Sequence, residues 1–85
     1  MINKAEILKG ICYTDLVYER INKKLGLKLA KTQIEQLMTK ILNETDEKYF
    51  LKVGKNFYVV NIKSNMRVTI NSNTFRIITA DKIEQ

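Results

Sequence analysis

Lys55, Tyr58, Arg67 and Arg76 are the side chains in this sequence best suited to working on a phosphate. Guanidinium and ammonium groups bind and neutralise phosphoryl oxygens, and a phenol ring stacks on a base. Asn71 adds an amide that donates and accepts hydrogen bonds. All five lie between Lys48 and Ala80, a segment with six basic residues and no acidic one. A field of one sign over a compact face attracts polyanions. RNA leads as partner, ahead of DNA, because cations alone stabilise a pentavalent phosphate while the neighbouring 2'-hydroxyl attacks.

Other chemistry is excluded by composition. There is no histidine, so there is no imidazole base, Ser-His-Asp arrangement or imidazole metal ligand. Cys12 is the single cysteine, which rules out an intrachain disulfide and a cysteine-built zinc site. The three glycines, Gly10, Gly26 and Gly54, are too dispersed for a phosphate-cradling loop. Asp15 with Glu19, and Glu44 with Asp46, read as solvated helix faces and ends rather than a carboxylate metal site. No metal and no cofactor is expected.

Eighty-five residues with 45% apolar content and no proline make one ordered domain, 1–85, near the size at which burial only just offsets chain entropy. Its apolar runs fall far short of the roughly 20 residues a bilayer requires, so a soluble, cytoplasmic protein with no membrane partner is expected. The net charge of +6 is uneven: residues 1–46 hold 8 basic and 6 acidic side chains, residues 47–85 hold 7 and 3.

The elements that must position the basic residues follow from periodicity. Asn3 and Glu6 have capping-box spacing for a helix over 3–10. Val17, Ile21 and Leu25 set a second helix over 14–25, closed by Gly26. Ile34, Leu37, Met38, Ile41 and Leu42 form the stripe of a third, over 30–43. Beyond Asp46 the period falls to two, giving strands over 48–53, 57–62, 66–71 and 74–80 whose short connections permit only antiparallel neighbours. The fold class is α+β, with two to three N-terminal helices packed on one face of a four-stranded antiparallel meander. Met66, Val68 and Ile70 are assigned to the helices. Arg67, Thr69 and Asn71 then face away, joined on the last strand by Arg76 and Ile78 and, from the first two strands, by Tyr58 or Lys52. That places Arg67 and Arg76 side by side on an uncovered face with no carboxylate near.

At "GKNFYVV" and "TINSNTFRIITADK", and back through "TDLVYERINKKLGL", the chain resembles a short family of uncharacterised bacterial proteins, a domain of unknown function of about this length. The likeness spans nearly the whole chain and implies no activity. The order of an "ER" helix, a second helix, a "GKN" hairpin and a closing "IITA" strand is more loosely similar to ribonuclease toxins of the RelE type and their barnase, colicin and EndoU relatives. That similarity implies an RNA-binding domain of RelE-like architecture, a weak or inactive metal-independent ribonuclease of toxin–antitoxin kind. Lys55, Tyr58, Arg67 and Arg76 would then be phosphate contacts. Asp81 departs from the pattern, since such toxins often carry histidine, tyrosine or tryptophan after this strand. Tyr13 or Thr14 stands where several carry a catalytic histidine.

Two further readings belong to other classes. The helices joined through Gly26 form a helix-turn-helix if the third presents Lys31, Gln33, Gln36 and Lys40 to a DNA groove, as in a winged-helix regulator. A protein-interaction or inhibitor module, or a homodimer, would instead use Ile78 and the sheet edge.

Overall fold

The computed structural model describes residues 2–83. Three helices precede one antiparallel sheet: α1 (Lys4–Gly10), α2 (Asp15–Leu25), α3 (Lys31–Glu44), then β1 (Phe50–Val53), β2 (Asn56–Asn61), β3 (Met66–Asn71) and β4 (Ile77–Lys82) in the spatial order β1-β2-β3-β4. The expected α+β meander is observed, with three helices.

Each helix starts and stops for a local reason. The Asn3 side chain accepts from the Glu6 N–H at 3.0 Å, filling one of the donors left free at the first turn of α1. Gly26 takes φ 67°, the left-handed conformation that closes α2. At α3 the N-cap is Ala30, which has no side-chain acceptor, and Thr32 does not serve. Gln33 compensates from within the helix, its Oε1 accepting from the Ala30 N–H at 2.8 Å.

In the sheet, Phe50, Val59, Val68 and Ala80 lie across from one another as one row, and Phe57, Ile70 and Ile77 as the next. Both rows are buried against Ile7 of α1, Val17, Ile21 and Leu25 of α2, and Ile34, Met38, Ile41 and Leu42 of α3. The helices therefore cover one face. Alternation leaves Leu51, Val53, Tyr58, Val60, Arg67, Thr69 and Asn71 on the other.

The first and last strands depart from their expected bounds. Residues 47–49 form a 3-10 turn in which the Asp46 carboxylate accepts from the Lys48 N–H at 3.1 Å, so β1 starts at Phe50 rather than 48. The last strand begins at Ile77 rather than 74. Asn71 Oδ1 accepts from the N–H groups of Asn73 and Thr74 at 2.8 and 3.0 Å, and Phe75 adopts φ 59°. That turn chemistry competes with strand pairing and wins over residues 72–76. Cys12 meanwhile makes an isolated parallel bridge to Arg76, with Cys12 N–H donating to the Phe75 carbonyl and Ile77 N–H donating to the Cys12 carbonyl.

Candidate nucleic-acid interface

A β-bulge shapes the site. The β3–β4 register is Thr69 opposite Thr79 but Ile70 opposite Ile77, so Ile78 is an extra residue in the strand. The bulge lets both Ile77 and Ala80 face the helices although they are three residues apart, and Arg76 precedes the strand altogether. Arg67 sits opposite Asp81, five residues further on, roughly 16 Å from Arg76 at strand spacing. The two arginines do not stand side by side. Nor is Arg67 free of carboxylates: its Nη2 lies 3.7 Å from Asp81 Oδ2, while Lys24 Nζ lies 3.1 Å from the other oxygen. Sequence reasoning placed Arg76 beside Arg67 because alternation assigns faces but not the register between neighbouring strands.

Of the other candidates, Tyr58 and Asn71 do share the uncovered face with Arg67. Tyr58 is opposite Thr69 and thus diagonal to both Arg67 and Asn71. Asn71 has its carboxamide oxygen committed to the 71–74 turn. Lys55 lies at the rim in the two-residue β1–β2 turn, its carbonyl accepting from the Ser72 N–H at 2.8 Å and its side chain exposed. Lys52 is opposite Phe57, a core residue, and so belongs to the helix-side row rather than the uncovered face.

What the fold assembles instead is a basic seam. α2 runs alongside β4 in the same direction. Thr14, Leu16 and Val17 adjoin Arg76, Ile77 and Ile78, and Lys24 reaches Asp81 at the far end. Arg20 lies between them, donating from Nη1 to the Ile78 carbonyl at 3.3 Å. Three surface depressions follow this line, and they overlap at Lys24, at Arg20 and at Leu16. The largest, about 690 Å³, is bounded by Lys24, Arg67, Asp81, Lys82 and Ile83. Together they are lined by six cations, Arg20, Lys23, Lys24, Arg67, Arg76 and Lys82, and by two carboxylates, Glu19 and Asp81. Arg20, Lys23, Lys24 and Lys82 were missed as site residues. The spacing of Arg20, Lys23 and Lys24 by three and four along α2 was legible, but which strand the helix would flank was not.

The face of α3 required for a helix-turn-helix is electrostatically different. Its depression is lined by Thr32, Glu35, Gln36, Thr39, Lys40 and Asn43, one cation against one carboxylate. Gln33 is used in capping, and Lys31 is drawn back toward Asp15 at 3.8 Å and over the Tyr18 ring. Ile78 is half-buried beside α2, and the start of β4 is already engaged by the Cys12 bridge at the Ile77 N–H and by Arg20 at the Ile78 carbonyl.

Neither Tyr13 nor Tyr18 offers a base at neutral pH. Tyr13 and Tyr18 stack with ring centroids 5.5 Å apart. Tyr18 Oη donates to Glu35 Oε2 at 2.6 Å, and this bond to a carboxylate, aided by desolvation, pushes its pKa up to about 12. Burial, with the Glu35 charge second, raises Tyr13 to about 12 as well. Among the described residues no three of Cys, Asp and Glu group closely enough to hold a metal ion. No helix among them is long and apolar enough to cross a membrane.

Residues 5–81 match the model of the family described as protein of unknown function, DUF3781. The chain belongs to that family. No curated protein and no solved structure matches it. The expected likeness to an uncharacterised family is thereby met, while the looser one to RelE, barnase and colicin ribonucleases finds no support.

Proposed function

We propose that this protein binds RNA along the α2–β4 seam, as a binding module rather than a nuclease. The single observation behind this reading is the imbalance of six cations against two carboxylates along overlapping depressions. One of those carboxylates, Asp81, is already neutralised by Lys24 and Arg67. From Arg76 to Lys82 the seam extends roughly 20 Å at strand spacing, enough for several consecutive phosphates. Tyr58, diagonal to Arg67, offers a ring to a base leaving the seam. Binding of cellular RNA implies a cytoplasmic location, which belongs to the same proposal. Cleavage is left out of it because Arg20 is held to the Ile78 carbonyl and Lys24 and Arg67 to Asp81, and the two perturbed tyrosines stay protonated at neutral pH.

The test is fluorescence anisotropy of labelled single-stranded RNA over a salt series in EDTA, with gel analysis of the same samples. Binding should weaken steeply with salt. Arg67→Ala and Arg76→Ala should each flatten the log–log slope by about 0.7, the value for one lost phosphate contact on a single strand. Intact RNA is expected throughout. Absence of binding at low salt, or parental slopes in both variants, would overturn the proposal. Cleavage in EDTA would replace the binding module with a metal-independent ribonuclease.

A further inference from the structure

The free edge of the sheet is β1, at the opposite end of the strand order from the seam. Four of the six large apolar side chains exposed among the described residues collect here: Tyr49, Leu51, Val53 and Ile62, at 41, 54, 62 and 67% exposure. An edge strand with an apolar outer face is a template for another strand. Which backbone groups it offers follows from the hairpin. Val53 and Asn56 flank a two-residue turn and so form a hydrogen-bonded pair, and alternation then points the N–H and C=O of Lys52 outward, along with the Phe50 carbonyl. The Phe50 N–H is already given to the Glu47 carbonyl.

We propose that a second copy of this chain pairs antiparallel with that edge about a two-fold axis at Leu51, joining two sheets into one of eight strands. The register is set by the side chains. With Leu51 against the partner's Leu51, the Lys52 N–H donates to the carbonyl of the partner's Phe50, and the reverse bond follows by symmetry. Leu51 meets the partner's Leu51 directly and the partner's Val53 diagonally, so the outer face becomes a continuous apolar strip. Lys55, in the turn beyond the end of β1, then lies toward the partner's 3-10 turn, which carries Asp46 and Glu47. The neighbouring register centred on Lys52 would instead oppose two lysines, which is unfavourable.

Charge also chooses the occupant. Along the edge the order is Asp46 and Glu47, then Lys48, Lys52 and Lys55. Reversal in an antiparallel partner sets the basic end against the acidic end. A purely acidic peptide would meet Asp46 and Glu47 instead. Self-pairing leaves both α2–β4 seams uncovered, and it does not depend on the RNA reading.

The test is light scattering on a sizing column in high salt, which screens the +6 net charge of each copy. Twice the 9.9 kDa chain mass is expected, reverting to the single mass in Leu51→Lys and in Val53→Lys, with circular dichroism unchanged. Cross-linking gives a second readout. In a Cys12→Ser background, Leu51→Cys should oxidise to a disulfide-linked dimer and Leu16→Cys, on the seam, should not. A parent that stays at the single mass at every concentration overturns the proposal, as does a dimer that survives Leu51→Lys. Monomeric protein that captures an acidic–apolar peptide through β1 overturns self-pairing as well.

Discussion

Gly10 illustrates how much one residue depends on a neighbour far along the chain. It ends α1, and on sequence grounds a helix stop explains it. In the fold, a Cβ at this position would lie 2.4 Å from Cδ2 of Phe75, whose ring also packs beside Phe57. The glycine is needed for close approach rather than for its backbone angles. Gly10→Ala should cost about 1–3 kcal/mol, as overpacking does, read as a lower urea midpoint with unchanged m-value. Gly54 is the converse case. Nothing lies within 4 Å of its missing Cβ, but φ 62° at the first turn position, without a positive φ at Lys55, is the II′ pattern that glycine fills. The turn at Gly54 was readable from "GKN"; the clash at Gly10 was not, because it needs residue 75 in place.

Between elements, a few polar contacts bind helices to each other and to the sheet. Thr45 and Asn61 are both buried. Asn61 Nδ2 donates to Thr45 Oγ1 at 2.9 Å, Thr45 Oγ1 donates to the Ile41 carbonyl at 2.6 Å, and Asn61 Oδ1 accepts from the Ser64 N–H at 2.8 Å. Asn61→Ala strands these partners in the interior and should lose about 1–3 kcal/mol, measured by denaturant titration. The Tyr18–Glu35 bond ties α2 to α3, and it gives a pH signature. The folded pKa of Tyr18 is about 12, above the free value of 10.0. Its contribution is therefore fully present below pH 10 and is lost as pH climbs toward 12. Thermal melts should fall across that alkaline window, and Tyr18→Phe should lower the plateau while shrinking the fall. Neither contact was visible beforehand, since both join residues 16 or more apart.

Across the whole molecule, Asp81 is where stability and binding pull in opposite directions. It links α2 to β3 through Lys24 and Arg67, yet it is partly solvated, 21% exposed, so the pairs are worth only about 1 kcal/mol or less. Asp81→Asn should lower the melting temperature slightly while tightening RNA binding and steepening its salt dependence, because two cations of the seam are released. Weaker binding in this variant, measured by the same anisotropy assay, would show that the seam is not the contact surface. The basic character of the molecule, the order of its elements and its α+β class were determined by the sequence alone, because charge count, helical stripes and two-residue alternation are local properties of the chain. Tertiary structure alone decided that Ile78 is a bulge residue, that Arg67 meets Asp81, and that α2 brings Arg20 and Lys24 alongside β4. Those outcomes depend on register and on which edge a helix covers, and register is chosen by contacts between residues that local pattern cannot bring together.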